Sequence, residues 1–343
     1  MDGPRIRFVD RRNGRSMDRR VFVVSAASSI AVLALAATAQ KLPSPNRPRR
    51  VLWLQYGSPD TPEEQKRVDD ALAEIGWIVG QNVLLDRRYV RMDDLQPTAQ
   101  EFVNAKGDLI IASGTPATLA AKRATTSVPI LMWSAADPVA AGLVASLARP
   151  GGNVTGMAML SPEQAVKRLS LLRELLPGIR RVGVLGHSGH PGLVAERERL
   201  EEAYRSAGVE AILVDTARFQ KLEDMLAEVV QRRAQALDLI QDTLYASWIP
   251  QVFSAAMRVS LPTIVDTSDL LEVGALLSYE EDQREFLHRD AVLFDKLLRG
   301  TRPADLPVEQ PTKFVLGINL RTAKALGITV PQSLLQRADN VIR

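Results

Sequence analysis

Short apolar runs alternate with longer amphipathic stretches along most of the chain. Such runs predict buried strands, and apolar positions that recur every three or four residues predict amphipathic helices. Strands are predicted over residues 51–55, 83–89, 109–112, 130–133, 182–185, 211–214, 237–240, 263–265 and 275–279. Helices are predicted over residues 62–75, 117–124, 164–176, 191–207, 221–233 and 283–299. This alternation is typical of βαβ units and therefore of parallel sheets.

Two interruptions of the pattern predict two sheets rather than one. LARPGGNVTGMAML (147–160) contains Pro-Gly-Gly at its centre, and SYEEDQ (278–283) breaks the alternation again. We expect an α/β protein with two Rossmann-like lobes joined by a hinge, with four parallel strands in the first and about five in the second. Lobe 1 is assigned to residues 51–155 and 279–305, and lobe 2 to residues 156–278 and 306–343. Because ligands bind beyond the carboxyl ends of strands in open α/β sheets, facing lobes form a cleft there.

Small hydroxyl residues and prolines follow three strands of the predicted first lobe. The turns Tyr56-Gly57-Ser58-Pro59, Ser113-Gly114-Thr115-Pro116 and Ser134-Ala135-Ala136-Asp137-Pro138 each lead from a strand into a helix. In the second turn Thr115 is the predicted N-cap, and Gly114 allows the backbone to approach a ligand closely. Such a turn directs free amides and a hydroxyl group at one point, as an anion site does, although capping alone also explains these residue types.

The strand ends of the predicted second lobe carry different polar groups. They are Gly186-His187-Ser188-Gly189-His190, Asp215-Thr216, Asp242-Thr243 and Asp266-Thr267. A rim of hydroxyl groups and helix N-termini opposite a rim of carboxylates suits a zwitterion, whose carboxylate lies on the first lobe and whose ammonium group lies on the second. Helix capping explains each of these Asp and Thr residues singly.

Aromatic side chains are sparse, so their positions are informative. Tyr56, Trp133, Tyr245, Trp248 and Tyr279 lie at or just beyond predicted strand ends. Aromatic residues in such places commonly line small-molecule pockets, although core packing explains Trp133 equally well.

The N-terminus predicts export. Residues 1–39 hold seven Arg and three Asp, and an uncharged run from Val21 to Gln40 closes in small residues. This pattern is typical of a secretory signal cleaved near Ala39, whereas a retained membrane anchor is the alternative. The segment DRRVF resembles a twin-arginine signal, and Met17 is an alternative start. We expect a periplasmic protein.

Charge and cysteine content narrow the class of protein. The chain has 43 Lys+Arg against 40 Asp+Glu, so without the basic N-terminus it is close to neutral, which argues against a nucleic-acid binder. Residues 40–50 hold three prolines and four positive charges and are typical of a linker. The absence of cysteine excludes disulfides, zinc–thiolate sites and a lipid anchor on cysteine.

Two chemical alternatives involve the segment GHSGHPG (186–192). Its two histidines suggest a metal, but no third ligand is evident nearby and zinc sites need three or four. Three glycines ending at Gly189, followed by Asp215, loosely imitate a dinucleotide fingerprint and suggest an NAD-dependent oxidoreductase. Their spacing is not G-x-G-x-x-G. We therefore expect no metal, no cofactor and no enzymatic activity.

Four stretches resemble the substrate-binding components of ABC importers, in the subgroup with tryptophan- and tyrosine-binding members. They are ASGTPATLAAKRATTSVPI, DPVAAGLVASLARPGGNVTG, RPADLPVEQPTKFVLGINLRTAKALGITVP and SLLQRADNVI. The resemblance covers nearly all of residues 51–343 and implies a type I periplasmic-binding-protein fold, whose lobes close on a small ligand by hinge motion. It also implies an inner-membrane ABC permease as partner, and we expect a monomer. By this resemblance Ser58, Thr115 and Asp137 map to cleft positions of the first lobe, and Asp242 to the second.

The chain departs from that family pattern on the second lobe. GHSGHPG replaces an Asn/Asp-Pro-rich loop, Asp242-Thr243 replaces a Pro-rich turn, and Ser278-Tyr279-Glu280 replaces Ser-Tyr-Gly, which adds a carboxylate near the cleft. The resemblance therefore carries over the fold better than the ligand. A LacI-type ligand-sensing regulator without its DNA-binding domain is a further alternative. The candidate ligand-binding residues are Tyr56, Ser58, Ser113, Gly114, Thr115, Asp137, His187, Asp242 and Tyr279.

Overall fold

A computed structural model describes residues 47–57, 59–159, 162–186, 188, 191–239 and 249–343. Within these residues the strands form two sheets. The strands of the first sheet are β1 (Arg49–Tyr56), β2 (Val83–Val90), β3 (Leu109–Ser113), β4 (Ile130–Ala135) and β5 (Val154–Ala158). They lie in the order β2-β1-β3-β4-β5 and are parallel throughout.

The second sheet is larger and mixed. Its strands are β6 (Arg181–Gly186), β7 (Glu210–Asp215), β8 (Ala236–Leu239), β9 (Thr263–Val265), β10 (Leu277–Glu281), β11 (Phe314–Asn319) and β12 (Asn340–Ile342). They lie in the order β12-β11-β10-β9-β8-β6-β7. Every described pairing is parallel except that of β10 with β11.

Helices lie between the strands. In chain order they are α1 (Pro62–Glu74), α2 (Leu95–Asn104), α3 (Gly114–Ala124), α4 (Pro162–Leu175), α5 (Pro191–Ser206), α6 (Leu222–Gln231), α7 (Ile249–Arg258), α8 (Asp269–Glu272), α9 (Gln283–Leu298), α10 (Leu320–Ala325) and α11 (Gln332–Arg337). Among the described residues, none of these helices has the length and hydrophobicity that a bilayer crossing requires. The predicted signal segment and most of the predicted linker lie outside the described residues.

Successive side chains of β1 pack on opposite faces of the first sheet, and both faces are covered by helices. Leu52 and Leu54 pack in one apolar cluster with residues of α2 and α3, whereas Val51 and Trp53 pack in another with residues of α1 and α9. Successive side chains of a strand point to opposite faces, so a strand covered on both sides reads as a continuous apolar run. This explains why the sequence pattern predicts such strands well.

The predicted fold class is confirmed, with more strands than expected. Over the described ranges, the first sheet has five strands rather than four, and the second has seven rather than about five. The additional strand β5 contains Gly156, where a Cβ atom would lie 2.1 Å from the Met132 carbonyl oxygen. A glycine with φ +140° interrupts the apolar pattern at this position because the neighbouring strand leaves no room for a side chain.

Helix α9 follows a strand of the second sheet but packs against the first. Its Phe294 meets Trp77 edge-on, with ring centroids 5.9 Å apart, and Asp295 accepts a hydrogen bond of 2.8 Å from the Trp77 indole N–H. The segment after α9 stays on the first sheet, where Thr155 Oγ1 donates to the Leu306 carbonyl at 2.8 Å. The chain then returns through β11. The assignment of residue ranges to the two lobes stays a prediction.

A buried charge network ties α4 and α5 to the second sheet. Arg168 Nε donates to Asp238 Oδ1 at 2.8 Å, and Tyr204 Oη donates to Asp238 Oδ2 at 2.6 Å. The side chains of Arg168 and Asp238 are 2% and 0% exposed. Burial disfavours the charged guanidinium, but Asp238 and Tyr204 together raise the pKa of Arg168. The pair therefore stays ionised inside the protein.

We expect Arg168→Met to lower the free energy of unfolding by about 3–5 kcal/mol, because it leaves Asp238 buried without its cation. The triple variant Arg168→Met/Tyr204→Phe/Asp238→Leu should recover most of that loss, since no uncompensated polar group remains. Urea denaturation followed by circular dichroism measures both values. If Arg168→Met were as stable as the wild type, the network would not contribute to the stability of the fold.

Candidate functional site

A cleft of about 470 Å³ lies between the two sheets, at the carboxyl ends of their strands. The first sheet contributes the ends of β1, β3 and β4, and the second contributes the loop after β9 and the end of β10. Helices α1, α4, α8 and α9, together with Met159, complete the lining. The residues that determine its chemistry are Trp53, Tyr56, Ser113, Trp133, Glu280 and Glu281.

Three aromatic rings form one wall of the cleft. The ring centroids of Trp53 and Trp133 lie 4.8 Å apart, and Phe286 meets Trp133 edge-on at 5.1 Å. Trp53 also donates its indole N–H to Ser113 Oγ at 2.8 Å. Each ring is held by another ring or by a hydrogen bond, so the wall offers flat apolar surface in a fixed orientation.

The turn after β3 brings backbone close to this wall. Gly114 has φ +77°, a conformation that favours glycine, and a Cβ atom there would lie 3.6 Å from Cε1 of Tyr56. Ser113 accepts its hydrogen bond from Trp53, so its own hydroxyl proton remains available for donation to a ligand. Ser134 extends the same rim and adopts φ +54°, which is uncommon for a residue with a side chain.

Carboxylates dominate the opposite side. Glu280 and Glu281, at the end of β10, line the cleft and are each 7% exposed, and Asp266 joins them from the loop after β9. Burial raises the pKa of Glu281 to about 7, and the negative charge of Asp266 adds to this rise. An opposing contribution comes from Arg168, whose positive charge favours the ionised carboxylate. This side of the cleft is built to meet a hydrogen-bond donor or a cation.

The structure brings three of the predicted ligand residues to the cleft. Tyr56, Ser113 and Gly114 line it. Thr115, Asp137 and Tyr279 are described but do not line it. Ser58, His187 and Asp242 lie outside the described residues.

Thr115 lies just behind the rim. Helix α3 begins at Gly114 with Ser113 as its N-cap residue, so Thr115 is inside the first turn and not at the cap. Its hydroxyl group donates to the Ala136 carbonyl at 3.2 Å and accepts from the Ala136 N–H at 3.0 Å. Thr115 thus holds the turn after β4 against the turn after β3. A direct role with ligand stays a prediction.

Asp137 forms an ion pair with Arg199, which lies on a helix next to the second sheet. Its Oδ1 accepts from the Ala140 N–H at 2.9 Å, and its Oδ2 accepts from Arg199 on α5. Asp137 is 8% exposed and follows a strand of the first sheet, whereas α5 follows a strand of the second. This ion pair therefore bridges the two sides of the molecule.

Tyr279 does not line the cleft. It stacks on Phe314 of the neighbouring strand, with ring centroids 5.2 Å apart and an angle of 12° between the rings. The two residues that follow it, Glu280 and Glu281, line the cleft at the end of the strand.

Sequence reasoning missed Trp53, Glu281 and Phe286. Trp53 lies in an apolar run that reads as core, and Phe286 lies on a helix whose crossing to the first sheet has no local signal. The run SYEEDQ did contain a signal for Glu281, namely two adjacent carboxylates directly after a buried strand. Among the described residues no group of three or more His, Asp or Glu is arranged to hold a metal ion.

The sequence matches the ABC transporter substrate binding protein family over residues 58–342. The chain belongs to this family. Members of the family are extracytoplasmic and normally not enzymes, so the chain is a solute-binding receptor for a small ligand. This membership favours the receptor over the dinucleotide-binding enzyme suggested by the glycines before Asp215.

Individual relatives also indicate a substrate-binding protein. A tyrosine-binding protein from Clostridioides difficile (strain R20291) is 29% identical over 286 residues, which cover 82% of this chain and 80% of that protein. The crystal structure of an ABC domain in complex with L-Trp from Streptococcus pneumonia is 27% identical, with a TM-score of 0.78, and covers 86% of this chain and 100% of that one. A ligand-free, open substrate binding protein with adhesive properties from Clostridium difficile is 26% identical, covers 86% and 99% of the two chains, and has a TM-score of 0.64.

We expect Glu281→Gln to stabilise the protein above pH 7. The folded state raises the pKa of this carboxyl from 4.5 to about 7, so ionised Glu281 destabilises the fold at high pH. That cost disappears as the pH falls from 7 toward 4.5, where the carboxyl is protonated in the folded chain. The variant should therefore gain up to roughly 3 kcal/mol at pH 8 and little at pH 4.5.

Thermal unfolding at several pH values measures this gain. The exposed Glu223→Gln on α6 is the matched control and should leave the profile unchanged. Equal stability of wild type and Glu281→Gln at pH 8 would contradict the assigned burial cost.

Proposed function

We propose that this protein is a periplasmic receptor that captures an amino acid, or a compound closely related to one, with an aromatic ring and delivers it to an ABC permease. The observation that carries the proposal is a cleft with an aromatic wall on one side and a buried carboxylate pair on the other. Its volume of about 470 Å³ falls within the roughly 300–1,000 Å³ typical of small-molecule sites.

The two sides of the cleft suit the two ends of such a ligand. Trp53 and Trp133 offer flat faces to an aromatic ring, and Glu280 and Glu281 accept hydrogen bonds from an ammonium group. Ser113 offers a hydroxyl proton to a polar substituent. Two relatives support this ligand class, since one is a tyrosine-binding protein and the other was solved in complex with L-Trp.

Capture and release are proposed as the whole activity, without catalysis and without a cofactor. Export by a signal cleaved near Ala39, action as a monomer and the absence of nucleic acid among its partners belong to the same proposal. Ser58, Thr115, His187 and Asp242 stay predicted contributors to the cleft.

The ligand class is tested by a thermal-shift screen of the purified protein against amino acids, aromatic amines and aromatic acids, with NAD as the competing probe. Members of the aromatic set should raise the melting temperature by mass action. A shift with NAD alone would overturn the proposal and revive the dinucleotide-binding alternative.

We expect Trp133→Ala to weaken binding of the best compound in that screen by at least about tenfold, because it removes one face of the aromatic wall. Trp133→Phe keeps a ring against Phe286 and should retain most of the affinity. Isothermal titration calorimetry gives both dissociation constants. Unchanged affinity in the alanine variant would place the ligand away from this wall.

The ion pair of Asp137 with Arg199 is expected to favour the closed form. Arg199→Ala should weaken ligand binding by about two- to fivefold, the effect of losing a partly exposed ion pair that is present only when the lobes are closed. Arg197→Ala is the matched control, since Arg197 lies on the same helix and pairs with Glu201 within it. Equal dissociation constants for the two variants would show that the ion pair does not contribute to closure.

A further inference from the structure

The charge lining the cleft is strongly unbalanced. Six carboxylates line it, whereas Arg67 is the one cation among the described lining residues. Arg67 is exposed on α1, where solvent and salt screen its charge. The carboxylates are Asp60, Glu64, Asp266, Asp269, Glu280 and Glu281.

The outer carboxylates on the first-sheet side already have partners in the protein. Asp60 accepts hydrogen bonds from Tyr89 Oη at 3.0 Å and from Gln55 Nε2 at 3.1 Å. Glu64 caps the start of α1 and accepts from the Thr61 N–H at 2.7 Å. These two groups are explained by the fold and do not need a ligand.

Glu280 is different. It is 7% exposed, lines the cleft, and within the described part of the chain no hydrogen-bond donor or cation pairs with its carboxylate. A carboxylate that is largely buried and open only toward the cleft favours a cation or a hydrogen-bond donor bound there. In the folded protein the cleft itself is the direction from which a partner can reach Glu280.

Among the residues that the structure describes, no cation is paired with Glu280. The adjacent Glu281 and the nearby Asp266 add negative charge. Arg168 is the cation behind this group, but its Nε is engaged by Asp238 at 2.8 Å and its side chain is 2% exposed. The described residues that line the inner end of the cleft therefore carry more negative than positive charge, and Glu280 is open to a cation that enters the cleft.

We propose that the cleft selects an aromatic amine that lacks a carboxylate over the corresponding zwitterionic amino acid, with the ammonium group held by Glu280. This inference rests on the proposed function and narrows its ligand class. The aromatic wall also favours a cationic ligand, since the ring faces of Trp53 and Trp133 attract cations as well as other rings. A ligand carboxylate would add a negative charge to a cleft that already holds an excess.

Glu281 gives the selectivity a pH dependence. The titratable groups that interact with it are Asp266, Arg168, Glu280 and Tyr279. Burial raises the pKa of Glu281 to about 7, and a bound ammonium group favours its ionised form. A primary amine stays protonated in this range, so affinity for the amine should rise several-fold between pH 6 and pH 8. In Glu281→Gln this rise should be absent.

The test compares matched compounds on the purified protein by isothermal titration calorimetry at pH 7.5. The pairs are tryptamine with L-tryptophan and tyramine with L-tyrosine, and indole-3-propionate serves as the acid without an amine. We expect each amine to bind at least about tenfold more tightly than its amino acid. Indole-3-propionate should bind most weakly.

Three variants locate the selectivity. Glu280→Gln should reduce amine affinity at least about tenfold, whereas Glu280→Asp should retain part of it because it keeps the charge. Glu74→Gln removes an exposed carboxylate of α1 that does not line the cleft, and it should bind like the wild type. Circular dichroism and thermal unfolding confirm that each variant is folded.

The outcomes separate this inference from the proposed function. If an amino acid binds as tightly as its amine, or if Glu280→Gln leaves amine affinity unchanged, the inference is overturned and the receptor for aromatic compounds stands. If none of the five compounds binds, both the inference and the proposed ligand class are overturned.

Discussion

Parallel strands that end at a common gap are the constraint on which the rest of this structure depends. Because β1, β3 and β4 run in the same direction, the residues that follow them meet at one rim, and the ends of β9 and β10 meet at the rim opposite. Residues far apart in sequence, such as Tyr56 and Asp266, thereby line a single cleft. The glycine with positive φ at Gly114 and the buried hydroxyl of Thr115 support that arrangement by holding the turns of the first rim in place.

Helix α9 links the two chemical halves of the site. It starts directly after the carboxylate pair that ends β10, yet it buries Phe286 and Phe294 against the first sheet. The chain thus passes from the acidic side of the cleft to the aromatic wall within a few residues, at a point where it also crosses between the sheets. Helix α9 therefore connects the two sides of the cleft, and the ion pair of Asp137 with Arg199 connects them again through other elements.

The sequence predicted the elements with strong apolar periodicity and missed those whose signal depends on tertiary contacts. Nine strands were predicted from their apolar runs, but β5 was missed because Gly156 interrupts its apolar run. The backbone of the neighbouring strand leaves no room for a side chain at this position. The structure places Ser113 and Gly114 of the turn after β3 at the cleft, whereas the predicted helix start was two residues late, because Ser113 and not Thr115 is the N-cap residue. Phe286 reaches the site only through the crossing of α9, and Glu280 was visible as an extra carboxylate before any fold was known.

The close pair of indoles in the wall has an optical consequence. Two indole rings with centroids 4.8 Å apart couple their electronic transitions, so their near-ultraviolet spectrum depends on the angle between them and on anything inserted beside them. Trp77, packed on Phe294 away from the cleft, provides an internal reference that does not sense the contents of the cleft. The protein therefore carries a built-in spectroscopic reporter of occupancy that needs no added label.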